Sequence, residues 1–567
     1  MPQLLEVIVF RPARWTRLVP LALAAVLAVG AGSQLPATVQ ASAPPDRKAV
    51  AEQNDELIQL LRVNTPTQSD RKRLTSLDLD QAESAGPTYT DIVAYGKSDL
   101  RLLRLAGFTW SVLEDDLEGA DREREKADAE YAKAVRNKAV LATLPSGRTA
   151  YRQLADFTSN LASLAQQYPT TAKLITLKEK SLEGRAVQGL EISHDVATSS
   201  GKPVFLMMGL HHAREWPSGE LTIEFAYDLL KNDGSDTRIT NILEKSKVII
   251  VPVVNPDGFN LSRTLGYEMK RKNCRITNGQ IPTAGQCAQS SNQSRGVDPN
   301  RNYSGFWGGP GASTSLTSET YRGASAFSEP ETRNIQALVS AHQVTTLITN
   351  HTYSNLVLRE PGYAAAANTP DETMYKALGD QLAAQNGYTS QKAYQLYDTT
   401  GTTEDWSYYA TGGLGFTFEH GASSFHPAFS NVVNYYNGSG STAGKGNREA
   451  YLIAAESTIN PARHSVVTGT GPAGAVLRLK KSFTTKTWNG TQLPDVLETT
   501  MTVPAGGTYT WHTNPSTRPI TIQNGGGTES WTLTCERPSG QVLETRSITV
   551  ARGGSVTANL TACSAAF

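Results

Sequence analysis

Short apolar runs and segments of helical period alternate along the middle of the chain, from about Tyr151 to Ile459. Val204 to Met208, Val248 to Val254, Val344 to Ile348 and Leu414 to Phe418 read as strands, and the near-continuous Val248 to Val254 run as one buried on both faces. Leu221, Phe225, Ala226 and Leu229 fall on one side of a helix, with Pro217 in its first turn and Asn232-Asp-Gly234 as its stop. Asn255-Pro-Asp-Gly258 is expected to turn the chain. Ser328-Glu-Pro-Glu331 opens a helix with Ile335, Leu338 and Val339 inward. Alternation over this length predicts an α/β domain on a mostly parallel mixed sheet flanked by helices.

The flanking segments have other rhythms. Before the middle region, Leu60 to Val63, Ile92 to Tyr95 and Trp110 to Leu113 read as strands and Leu100 to Leu105 as a helix. Ala120 to Val140, rich in Ala, Glu, Lys and Arg, reads as a solvated connecting helix. An α+β domain is expected there. After Arg463 the chain turns to Thr, Gly, Val and Ser. Strands are expected at Val476 to Leu479, Thr499 to Val503, Tyr509 to Trp511, Ile520 to Ile522, Trp531 to Leu533 and Ser547 to Val550, as in an all-β sandwich. The predicted boundaries are 1–43, 44–145, 146–460 and 461–567.

Composition adds a compartment. Lys and Arg number 53, as do Asp and Glu, so the net charge is zero and nothing points to nucleic acid as a partner. The four cysteines fall in two sequence-local pairs, Cys274 with Cys287 and Cys535 with Cys563, which suits disulfides in an oxidising compartment. Arg11, Arg14 and Arg17 precede an apolar stretch, Leu18 to Val29, and then Ala41-Ser42-Ala43. That is the pattern of a secretory signal peptide. The apolar stretch is too short for a membrane span, and no second one follows. A secreted, monomeric protein is expected.

Candidate chemistry sits at the predicted strand ends. His212 and Glu215 follow the first strand, three residues apart, and can turn to one side of a tight loop to hold one zinc ion. A catalytic zinc takes a third protein ligand. Among the remaining histidines, His351 is the best placed, because it too follows a buried strand. Glu419 ends another strand and could serve as general base. Arg271, Arg301 and Tyr397 lie on the loops between, where a guanidinium could stabilise an oxyanion or grip a carboxylate.

Taken together, these strings resemble the zinc carboxypeptidases of the carboxypeptidase A and T type. The matching strings are His212-Ala-Arg-Glu-Trp216, Asn255-Pro-Asp-Gly-Phe259, Arg271-Lys272-Asn273, Gly296 to Asn302, His351-Thr-Tyr353, Asp405-Trp406-Ser407 and Phe416 to Glu419. The resemblance implies His212, Glu215 and His351 as zinc ligands, Glu419 as base and Arg271 as the oxyanion arginine. It also implies Arg214 as an auxiliary substrate arginine, Asn300 and Arg301 as the clamp on the substrate's terminal carboxylate, and Tyr397 as the mobile tyrosine. Lys270 and Lys272 rival Arg271 in register. In such a family Glu404, just before the Asp-Trp string, would line the floor of the specificity pocket and favour C-terminal Lys or Arg, unless Lys392 neutralises it.

The N-terminal segment looks like the family's activation domain, with an activating protease cutting near Arg136, Lys138 or Arg148. The expected substrates are the C-termini of peptides and proteins. Two other readings stand beside this one: a murein or γ-glutamyl peptide hydrolase on the same scaffold, and a non-catalytic secreted binding protein.

Overall fold

The structure, a computed structural model, describes residues 57–138, 143–264, 266–366, 369–422, 424–518 and 527–567. The expected leader and the strand expected at Ile520 to Ile522 lie outside them.

Period-two alternation gives the N-terminal sheet two apolar faces. Its strands are β1 (Ile58–Asn64), β2 (Asp80–Gly86), β3 (Tyr89–Tyr95) and β4 (Trp110–Glu114), antiparallel in the order β2–β3–β1–β4. Leu61, Val63, Ile92 and Ala94 pack on Leu74 and Leu103 of the helices Gln68–Thr75 and Gly96–Leu105. Ile58, Leu60 and Val93 turn the other way and pack on Met269, Tyr353 and Phe425 of the middle region. The connecting helix starts earlier than its composition suggests, at Leu117, where Asp116 accepts from the Gly119 amide, and it ends at Arg136.

The middle region forms one eight-stranded sheet. Its strands are β5 (Ala172–Lys180), β6 (Ala186–Ile192), β7 (Val204–Met208), β8 (Lys247–Val251), β9 (Val344–His351), β10 (Leu356–Arg359), β11 (Thr389–Lys392) and β12 (Leu414–Glu419). The order is β11–β10–β12–β9–β7–β8–β6–β5, parallel from β12 through β8 and antiparallel where β10, β6 and β5 join. Two expectations are corrected. The strand beginning at Val248 ends at Val251, not Val254. Asn255-Pro-Asp-Gly258 does not turn the chain back but starts the helix Pro256–Thr264, with the Asn255 side chain accepting from the Gly258 amide at 3.0 Å.

Phe205 and Met207 face the helical layer with Phe225 and Leu229. Val204, Leu206 and Met208 face the opposite way, into a cluster that also contains Leu338, Leu477, Trp511 and Trp531. The C-terminal strands therefore share an apolar cluster with the underside of the central sheet. Among the described residues they form a three-stranded, a four-stranded and a short two-stranded sheet. The last expected strand runs Val542–Ile548, earlier than the pattern at Ser547 to Val550. Cys274–Cys287 and Cys535–Cys563 are both disulfides. Among the described residues no helix is long and apolar enough to cross a membrane.

Candidate active site

Three neighbouring strands, β7, β9 and β12, bring their ends to one place. The parallel register sets Glu419 beside His351. After β7 the chain turns at Gly209, where a Cβ would come 2.6 Å from the Ser218 carbonyl oxygen, so the loop lies directly on the helix Trp216–Asn232. That close approach carries His212 and Glu215 over the end of β9.

His212 Nε2 lies 3.1 Å from Asp298 Oδ1. Burial opposes charge on Asp298, but Arg271, His212 and Arg301 together hold its carboxyl well below the usual range. An ionised carboxylate can only accept, so the Nε2 that faces Asp298 carries a proton, which leaves Nδ1 as the nitrogen on offer to a metal. That Nδ1 is 2.6 Å from Glu215 Oε1 and 3.1 Å from His351 Nδ1. His351 Nδ1 is in turn 2.9 Å from Glu215 Oε2. The ligand atoms of the three residues lie within 4.8 Å of one another, and all three residues are buried. Such a convergence of two imidazole nitrogens and a carboxylate fits a cation, and two imidazoles with one carboxylate are the donor set of a catalytic zinc.

A second trio, Asp121, Glu268 and His426, also converges. There the Arg124 guanidinium pairs with Asp121, and His426 bridges Asp121 to the Arg214 carbonyl at 2.8 Å on each side. Asp121 is thus already paired with a cation at this trio.

Glu419 Oε2 is buried and has no hydrogen-bond partner among the described residues. Burial first, then the Glu83 and Glu215 carboxylates, push its carboxyl well above the usual range. Arg271 faces the same point: it donates to Asp298 Oδ2 from Nε at 3.1 Å and from a terminal nitrogen at 2.9 Å. Its rivals point elsewhere, Lys270 to the carbonyls of Gln293 and Arg295, and Lys272 to those of Leu316 and Ser318. Asn300 accepts from the Thr403 amide and hydroxyl, both at 2.9 Å, and Arg301 Nε donates to the Gly311 carbonyl at 2.8 Å.

A cavity of about 1110 Å³ opens here, lined by Arg271, Arg301, Tyr363 and Tyr397 on one side and by Arg71 and Glu83 on the other. Glu83 comes from β2. It accepts from both Arg271 and the Tyr397 hydroxyl. Asp80 of the same strand takes the Arg214 guanidinium on both oxygens. Glu404 is buried at the start of the helix Thr403–Thr411, with Thr417 donating to its Oε2 at 3.0 Å. Lys392 does not neutralise it: its Nζ lies 3.6 Å from Glu372, which Arg359 also holds.

Three partners here escaped the sequence reading. Asp298 stands inside one of the matching strings, and its place between a histidine loop and two arginines was the available signal. Asp80 and Glu83 had none, because Asp80-Gln-Ala-Glu-Ser-Ala-Gly86 shows no apolar alternation.

The sequence model of one family, described as zinc carboxypeptidase, matches residues 157–439. A zinc carboxypeptidase of Simulium vittatum is 32% identical over 267 residues, 46% of this chain and 81% of that protein. Carboxypeptidase A2 of Mus musculus is 31% identical over 279 residues, and the match spans 48% of this chain but only 62% of that protein. Among solved structures, carboxypeptidase A from Helicoverpa armigera shares the fold with a TM-score of 0.59 at 21% identity, over 71% of this chain and 98% of its own. The geometry and the comparisons converge, and the chain belongs to the zinc carboxypeptidase family.

Proposed function

We propose that the chain is a secreted zinc-dependent exopeptidase that removes the C-terminal residue of peptides and proteins, made as a proenzyme. One observation carries this reading. Three convergent metal-binding side chains and an unpartnered buried carboxylate stand at adjacent strand ends beside two arginines. In this reading residues 1–43 are a leader, 44–145 the activation segment, 146–460 the catalytic domain and 461–567 a β domain.

Zinc held by His212, Glu215 and His351 would supply Lewis-acid chemistry at the scissile carbonyl and a nucleophile at neutral pH. The chain's own groups do the rest. Glu419 takes a proton from the attacking water at Oε2 and hands it to the leaving amine. Arg271, braced by Asp298, donates to the oxygen on which charge develops. Asn300 and Arg301 hold the substrate's terminal carboxylate, which sets the cut one residue from the end. Tyr397 closes over the residue so held.

The proenzyme reading is supported by Glu83 and Asp80. Glu83 puts a carboxylate on Arg271 and Tyr397, and Asp80 puts one on Arg214, all groups assigned here to substrate. Secretion is supported by the two disulfides and the leader pattern.

The test is product analysis on matched peptides with free and amidated C-termini, in wild type and Glu419→Gln. Single-residue trimming of the free peptide alone is expected. The variant should bind zinc as wild type does and lose turnover by about 10³- to 10⁴-fold. Near-normal turnover sinks the assignment of Glu419. A strong preference for peptidoglycan fragments over plain peptides would favour the cell-wall reading instead.

A further inference from the structure

The β domain meets the catalytic cleft at one hairpin tip. Strands Val476–Lys486 and Gln492–Thr502 pair along their whole length, and residues 487–491 close them. Trp488, on this tip, leaves the cluster that holds the rest of the β domain. It packs instead against the main core of the catalytic region.

Three contacts define its seat. Its backbone amide donates to the Trp307 carbonyl at 2.9 Å. Its ring lies on Gly309, where a Cβ would come 2.8 Å from Trp488 Cε3, so only glycine allows the approach. Its ring also meets the Tyr363 ring edge-on, with centroids 4.8 Å apart at 85°.

Both loops that Trp488 touches lead to groups assigned to substrate. In the first, Gly311, two residues past Gly309, accepts from Arg301 Nε at 2.8 Å and so aims that guanidinium. In the second, Gly362 beside Tyr363 accepts from the Thr399 amide at 2.7 Å, and the Ala364 amide donates to Asp398 at 3.0 Å. Asp398 follows Tyr397. Thr400, three residues past Tyr397, ties that segment to the first loop through its bond to the Pro310 carbonyl at 2.8 Å.

We infer that Trp488 is a positioning residue for the substrate's terminal carboxylate: from the β domain it holds the Gly309 and Tyr363 loops, and through them Arg301 and the base of the Tyr397 segment. The ring touches no reacting group. Its effect falls on binding of the free carboxylate, which is shared by ground and transition states, and so on KM rather than kcat. This rests on the carboxypeptidase reading, so the test carries a readout that does not need turnover.

The experiment compares full-length wild type, Trp488→Ala and Trp488→Phe after limited proteolysis. It follows hydrolysis of a peptide with a free C-terminus and hydrogen exchange of residues 304–312 and 362–364. Trp488→Ala is expected to raise KM about tenfold with kcat within about twofold. Exchange in both loops should be faster, while strand 476–486 stays protected, and Trp488→Phe should restore most of KM. A folded Trp488→Ala with wild-type KM and wild-type exchange overturns the inference. If Trp488→Ala does not accumulate, Trp488→Leu keeps apolar bulk without a ring, and wild-type behaviour there overturns it equally. An inactive wild type sinks the carboxypeptidase reading alone, and loop exchange then decides whether Trp488 braces the loops.

Discussion

His212 is useful as a ligand only in one tautomer, and Asp298 sets it. The same carboxylate holds Arg271 on its other oxygen, so one buried side chain orients both a proposed metal ligand and the proposed oxyanion donor. Glu404 shows the same economy. It is buried, Thr417 fixes one oxygen, and no cation among the described residues pairs with it. A carboxylate so placed favours a C-terminal Lys or Arg, which completes a charge-assisted pair, over an apolar residue that leaves it desolvated. The measurement is kcat/KM on peptides ending in Arg, Phe and Glu. Arg is expected to be best, and Glu404→Ile to lower the Arg:Phe ratio by about 30-fold or more, the scale of truncating one partner of a buried charge pair. Phe as the best substrate of the wild type, or an unchanged ratio, removes Glu404 as the determinant.

At the level of elements, the parallel centre of the sheet does most of the positioning. Strand ends place His212, His351 and Glu419, and the loops bring the arginines to them. β2 works differently. Its pairing with β3 is interrupted between Gln81 and Ala85, and Glu83 sits there at φ 53°. A left-handed glutamate costs about 1–2 kcal/mol relative to ordinary backbone. The bulge re-aims one side chain out of the sheet, and that side chain reaches Arg271 and Tyr397. If Glu83 is a latch as proposed, uncleaved Glu83→Ala should hydrolyse a small peptide at least about tenfold faster than uncleaved wild type, by loss of a charge-assisted pair. Intact mass of both samples checks that neither was processed. Equal, silent behaviour would assign the block to steric cover by the whole N-terminal sheet.

Across the whole molecule, burial bears on where an activation segment would end in the proenzyme reading proposed above. Leu144 and Tyr151 belong to the main apolar core. Ser146 donates to Glu224 from its amide and its hydroxyl, and the buried Arg152 guanidinium meets both Glu220 and Glu224. Losing Arg152 would strand two buried carboxylates, at a cost of about 3–5 kcal/mol for a broken buried pair. Residues from Leu144 onward therefore pack with the catalytic region, two residues before the boundary at 146 drawn from the sequence. Of the three basic cutting points, Arg136 or Lys138 is favoured over Arg148, and the mature N-terminus is expected between Asn137 and Leu144. N-terminal sequencing of the secreted, active protein decides it, and a start beyond Arg148 would refute the argument.

Much of the fold and part of the site were legible in the order of residues. Buried strands of a parallel sheet are nearly continuous apolar runs, so β7, β8, β9 and β12 announce themselves, and ligands at strand ends follow in sequence. His212, Glu215, His351 and Glu419 needed only that logic and the strings around them. Asn255-Pro-Asp-Gly258 misled because Asn, Pro and Gly serve a helix start as well as a turn, and the choice is made by what packs behind them. β2 was hidden because a polar, bulged edge strand carries no periodicity. The pairings that decide the cleft are long-range: Glu83 with Arg271 across 188 positions and Asp80 with Arg214 across 134. The sequence by itself determined the strand ends, the metal-binding donors and the compartment signals, because each is written in local pattern. Only the tertiary structure decided which carboxylates face the arginines, which lysines stand aside and where Trp488 lies, because those depend on which distant segments share one buried volume.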